Sequence, residues 1–280
     1  FTTNQNMLGE NFEFDINLEN ISNYETIFIQ NSNIDSKVNS VDLSNLGKNA
    51  HINIGNHFTD VKLHSTENSD VELRSNSDIT ITSTGNIKNL EIIAGGGNVT
   101  IPSTSVNEDL DIRNANIVNI SAKSLEHNLS VTANSDVILN DLSNLRGNIL
   151  IESVGKIEVA SASSGVGTLH LNNERAIQGT DIVISNASSF GKVQVTSAGS
   201  VTATANNGLA SASNISISAS ETSNIISNGV SDQHITLNAI SNNNEQVTFN
   251  LQASTVESLS LGGDSPILLS VDVEDISSEI

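Results

Sequence analysis

The stretch LSVTANSDVILNDLSNLRGN at residues 129–148, followed at once by ILIESVGKIEVASASSGVGT at 149–168, holds the pattern on which the fold turns. Each segment opens on aliphatic-x-aliphatic, passes a short polar turn, repeats aliphatic-x-aliphatic, and closes on a longer turn of Ser, Asn and Gly. Strict alternation is the signature of a strand with one buried face, and the residues between the runs are the ones that turn a chain.

Working outward from these segments, the first pair of each unit begins at Ile52, Val71, Leu90, Leu110, Leu129, Ile149 and Leu169, at intervals of 19 or 20 residues. A second series, Val61, Ile79, Val99, Val118, Val137 and Ile157, runs between them. A third aliphatic in the longer turn, at Ile87, Val106, Leu125, Leu145 and Val166, supplies a further inward face. The cadence loosens but continues from Val193, Ile215 and Ile235, and the pentapeptide DLSNL at 42–46 recurs at 141–145.

A unit of about 20 residues cannot bury its own apolar side, whereas stacked units pair every strand with its equivalent about 4.8 Å away. The expected fold is therefore all-β: a parallel β-solenoid of about 11 coils with a repeat of roughly 19–24 residues. The expected organisation is a cap, or a junction to a preceding domain, over 1–30. The array then fills 31–280, with a last coil from about 259. The cap is expected because Phe1, Phe12, Phe14, Tyr24 and Phe28 gather there, and because a solenoid end exposes strand edges that need cover.

Composition agrees. Only 36% of the 280 residues are hydrophobic and 3% aromatic, so the core must be built from small aliphatics. A formal charge of -21 would repel a polyanion, which makes nucleic acid a poor partner. The absence of cysteine excludes disulfides and thiolate metal sites, and no run of 18 apolar residues offers a membrane span.

Catalytic signals are sparse. His51, His57 and His64 lack metalloenzyme spacing, and no nucleophile elbow, phosphate loop or dinucleotide fingerprint occurs. The middle of the chain lacks the aromatic platforms that sugar-processing sites use, so no enzyme is expected.

Aligning the repeats exposes one constellation. The middle residue of each first strand points outward, and the resulting column reads Asn53, Glu72, Glu91, Asp111, Ser130, Leu150, His170. Three carboxylates in successive coils repel one another, which a hard cation such as Ca2+ relieves and which Arg74 and Arg113, on the same face, relieve equally well. A second acidic set occupies turns: Asp60, Asp78 and Asp136 before second strands, and Asp70 and Asp109 before first strands. These are expected to act as turn formers bonded to their own backbone. Near the C-terminus, LSLGGDSPILLSVD places Gly262, Gly263 and Asp264 in a corner of the terminal coil. Asp264, Asp272 and Asp275 there have no nearby base and form a further candidate metal set.

The phrases VILNDLSNLRGNILIES (137–153) and VESLSLGGDSPILLSVD (256–272) resemble the repetitive regions of surface-layer proteins of Gram-negative bacteria, over roughly residues 27 to 275. The resemblance implies a protein secreted by a type I system that assembles with identical subunits into a two-dimensional lattice on the cell surface. Order in such lattices often depends on calcium. Attachment to cell-surface polysaccharide would fall to a domain outside this chain. The complete calcium-binding nonapeptide is absent, however, and large secreted adhesins share the same style, so an adhesin stalk stands as the alternative.

Overall fold

The computed structural model describes the backbone of the strands between residues 2 and 65. From residue 69 to 276 it describes most of the chain with most of its side chains, apart from 76–77, 84–86, 104, 107, 122–123, 165–166, 189, 204–208, 210–211, 213, 228–232 and 242. The described residues form strands and turns only, wound as a parallel β-solenoid in two compact units, Phe1–Asn134 and Ser135–Ile280.

In the first unit, one sheet stacks seven strands, from Thr2–Thr3 and Thr26–Asn31 through His51–Gly55, Ser69–Ser75, Ile87–Ala94 and Leu110–Ala115 to Leu129–Ala133. A second sheet stacks six, from Glu13–Leu18 to Val118–Ile120. Along these two paths strands alternate between the sheets, so each coil adds one strand to each, while the short strands Ser105–Val106 and Ser124–Leu125 extend the first sheet beside Ile87–Ala94. In the second unit the first sheet runs through six strands from Ile149–Ser153 to Ser258–Gly263, and the second through seven from Val137–Leu139 to Ile267–Ile276. The turn count thus differs slightly from the expected 11.

The sequence period survives as register. Leu90 pairs with Leu110 and Leu110 with Leu129, while Val99 pairs with Ile79 and Val118. Strands before residue 30 belong to the same ladders, with Glu13–Leu18 on Lys37–Leu46 and Thr26–Asn31 on His51–Gly55. The aromatic side chains expected to cap that end lie outside the described residues.

Columns of like residues make the core. Leu73, Ile92, Ile112 and Val131 stack through paired registers and are fully buried, as are Ile151, Leu171, Ile217 and Leu237 in the second unit. Each such side chain contributes roughly 1.5–3 kcal/mol by leaving water. The third aliphatic also points inward: Ile87, Val106, Leu125 and Leu145 are at most 2% exposed. Around it short strands form a third ladder, such as Leu142–Leu145 on Ala162–Ser164 and on to Ala187–Ser188, so a coil has three sides. Val166 lies outside the described residues.

Between first and second strands the coil bends around small or polar residues. Ser153 is 5% exposed, and its Oγ donates to Ser135 O (2.5 Å) while accepting from Gly155 N (2.9 Å). Ser197 is fully buried and repeats this two corners later, donating to Thr180 O (3.1 Å) and accepting from Gly199 N (3.2 Å). A serine here satisfies backbone groups that the bend removes from the ladder, where an aliphatic would leave them orphaned.

Candidate functional site

The outward column expected from the repeats is real. Asn53 pairs with Glu72, Glu72 with Glu91, Glu91 with Asp111 and Asp111 with Ser130, all in the first unit, and Leu150 pairs with His170 in the second. The first strand of each coil therefore carries a carboxylate in three successive layers, about one strand spacing of 4.8 Å apart.

Arginines occupy the space between those carboxylates. Arg74 Nε lies 2.5 Å from Glu72 Oε1 in its own strand. Arg113 is bidentate: it bonds Asp111 in its own strand and reaches diagonally to Glu91 Oε1 at 3.2 Å. The hydrogen bond and charge of Asp111, followed by the charge of Glu91, raise the Arg113 pKa and hold the guanidinium firmly ionised. A cation bound by Glu72, Glu91 and Asp111 would have to displace both guanidinium groups, so this donor set does not fit a calcium site. Among the described residues no group of three or more His, Asp or Glu is arranged to hold a metal.

The turn acids act between coils. Asp70 Oδ1 accepts from Asn89 Nδ2 (2.8 Å), Asn89 Oδ1 accepts from the Asp109 amide (3.1 Å), and Asp109 Oδ1 accepts both from the Asn128 amide (3.0 Å) and from its Nδ2 (2.9 Å). A parallel chain runs along the other corner, where Asp78 Oδ1 takes the Asn98 amide (2.9 Å) and Asn98 Oδ1 takes the Ile117 amide (3.1 Å). In the second unit Asp136 takes the Lys156 amide (2.8 Å), and Asp181 takes the Ser200 amide (2.9 Å) and hydroxyl (2.7 Å). These side chains bond the equivalent amide one coil onward. The expectation of bonds to their own turns identified the corner but not the partner. Asp60 lies within the strand Phe58–Ser65, and its side chain is outside the described residues.

The C-terminal candidates do not converge. Gly262 and Gly263 close the strand Ser258–Gly263, paired with Asn238 and Ala239, and the corner itself is Asp264–Ser265, one step later than expected. Gly263 is sterically required, since at φ +105° its Cβ would sit 2.6 Å from Ala239 N, whereas a Cβ on Gly262 would meet only the Asn238 side-chain Oδ1, at 2.7 Å. Asp264 donates its amide to Ala239 O (2.9 Å). Asp272 faces solvent within Ile267–Ile276, in register with Gln252, about 17 Å of strand from the corner that holds Asp264. Asp275 pairs in register with Thr255, and its side chain is outside the described residues.

Two features have no local signal in the sequence. Asn173 is fully buried: its Nδ2 reaches Gly155 O and Thr180 O at 3.2 Å each, and its Oδ1 accepts from Ala198 N at 3.0 Å. It anchors an enlarged corner whose tip, Ile177, is 83% exposed. On the first sheet, His234 Nδ1 lies 2.8 Å from Ser258 Oγ and its Nε2 lies 3.4 Å from Glu257 Oε2. This serine–histidine–carboxylate string sits half-exposed on an open sheet face. The Glu257 and Ser258 amides are committed to Gln233 O, so neither can donate to a developing oxyanion. Comparison with known proteins adds no assignment: no family model, curated protein or solved structure matches the chain.

Proposed function

We propose that this chain is a structural segment of a bacterial surface layer, outside the cell, whose solenoid presents regular polar faces to identical subunits in a two-dimensional array. The observation that carries this reading is the make-up of the chain. An aliphatic core and cross-coil polar ladders fix a rigid repeat, and the carboxylates aligned from coil to coil at Asp70, Glu91, Asp109 and Asp111 are spent on capping and pairing. Such a body works through shape and repetition rather than through a reacting group.

Calcium has its place in this reading between copies. Chains of charge -21 repel one another, and a divalent cation shared by carboxylates of two neighbours relieves that repulsion without an intramolecular site. Electron microscopy of the purified chain, with calcium and with a chelator, tests the proposal: ordered arrays that dissolve on chelation are expected, and dispersed particles under both conditions contradict it.

The adhesin stalk is favoured by one specific observation, the anchored corner that holds Ile177 in solvent, since an exposed isoleucine on a fixed loop suits a partner's apolar pocket. Binding of a glycan or receptor protein by the monomer, abolished by Ile177→Asp, would select that reading.

A further inference from the structure

The first sheet of the second unit has an outward face without carboxylates, in a chain of charge -21. From the strand Thr168–Asn172 through Lys192–Thr196, Asn214–Ala219 and His234–Ala239 to Ser258–Gly263, no outward position holds a carboxylate. The central column reads His170, Gln194, Ser216, Thr236, Ser260. The flanking columns add Lys192 and His234 and otherwise hold Thr, Asn, Ser and Gly. Acids stop at the margins, with Glu152 on the preceding strand and Glu257 just outside the last one.

All four strand-to-strand registers between Thr168 and Gly263 run without a shift, so the outward columns of this face are straight. The side chains are also held in place, with Asn238 Nδ2 donating to Ser218 Oγ (3.3 Å) and His234 bonded to Ser258 (2.8 Å). The second sheet of this unit is likewise free of acids between Ile182 and Ser254, but no cation stands there, and Glu158 and Asp272 occupy outward positions on either side.

We infer that this five-stranded face is where a second copy of the chain docks, an inference that rests on the self-assembly reading above. Two copies carrying -21 each approach at lower electrostatic cost through a surface whose outward strand positions hold Lys192 and no carboxylate. Five strands at their usual spacing and rise offer roughly 400 Å² per copy. That is about half of a standard interface, so one contact is weak and becomes effective through repetition in an array.

The test places one negative charge at the centre of the face, by Thr236→Glu with Gln194→Glu as an independent second variant. The same charge at an exposed corner, by Gln178→Glu, serves as the control. Association is read by sedimentation over a concentration series in calcium, with circular dichroism reporting that each variant keeps its fold. The expected result is a loss of about tenfold or more in association for either face variant and little change for Gln178→Glu. If the natural chain associates and the face variants match the corner control, the docking face is wrong while self-assembly stands. If the natural chain stays monomeric at every concentration, the assembly reading falls and this inference with it.

Discussion

The outward face around Glu72, Glu91 and Asp111 and the outward face from Thr168 to Ser260 are built on the same inward pattern, yet they present opposite surfaces. In the first unit, carboxylates stacked at strand spacing are held by Arg74 and Arg113, and the ladders carry register shifts. In the second, a flat field of hydroxyls and amides carries no carboxylate. Beneath both, aliphatic columns at the equivalent positions are fully buried. The core therefore specifies the coil, and the outward positions are free to specify what meets it.

Substitution of that shared core should affect the two units alike. Ile112→Ala in the first and Leu171→Ala in the second are each expected to cost about 2–5 kcal/mol, measured by chemical denaturation. A loss confined to one variant would break the equivalence of the cores.

Corners come next. Gly155→Ala forces a Cβ to within 2.6 Å of the Ser135 carbonyl carbon and 2.7 Å of the Asp136 amide, so a loss of about 1–3 kcal/mol is expected in thermal unfolding. Asp109→Ala and Asp136→Ala each remove a cross-coil cap, one at the corner before a first strand and one at the corner before a second, and each should cost about 1 kcal/mol. Hydrogen exchange should then quicken selectively at Asn128 and Lys156, the amides that lose their acceptors.

The smallest effect, and the sharpest contrast, belongs to the faces. Arg113→Ala should change stability by roughly 0.2–1 kcal/mol, with the loss shrinking in high salt, because its ion pairs are largely exposed. The Arg113 pKa is raised in the fold, so its contribution is fully present below the unfolded value and disappears only as pH rises through the raised one. On the arginine's account no change is expected around neutrality. Gln194→Ala in the second unit should leave both stability and its salt dependence nearly unchanged.

Much of this contrast is legible in the amino-acid order. The intervals of 19 and 20 residues dictate which residues become partners, and Glu72, Glu91 and Asp111 fall in one column as the repeat alignment requires. What the column does is not legible there, because the same spacing suits a cation or a guanidinium. Only the path of the Arg113 side chain to Asp111 and Glu91 decides between them. Asp109 reads as a local turn former because local rules consider only neighbours in sequence, whereas its oxygen reaches Asn128, 19 positions away. His234, Ser258 and Glu257 carry no local signature for the same reason, with 24 positions separating the histidine from the serine.

The sequence by itself determined that the chain is a β-solenoid, which side chains point inward, and where most of the corners fall to within a residue or two, since alternation and period follow from strand geometry alone. The tertiary structure decided the rest: the cross-coil caps, the bidentate arginine, the glycines pressed against the coil below, and the corner swollen around Asn173. Stacking is the physical reason. It brings residues one repeat apart to within about 5 Å, so their interactions depend on side-chain paths and small register shifts that no stretch of sequence contains.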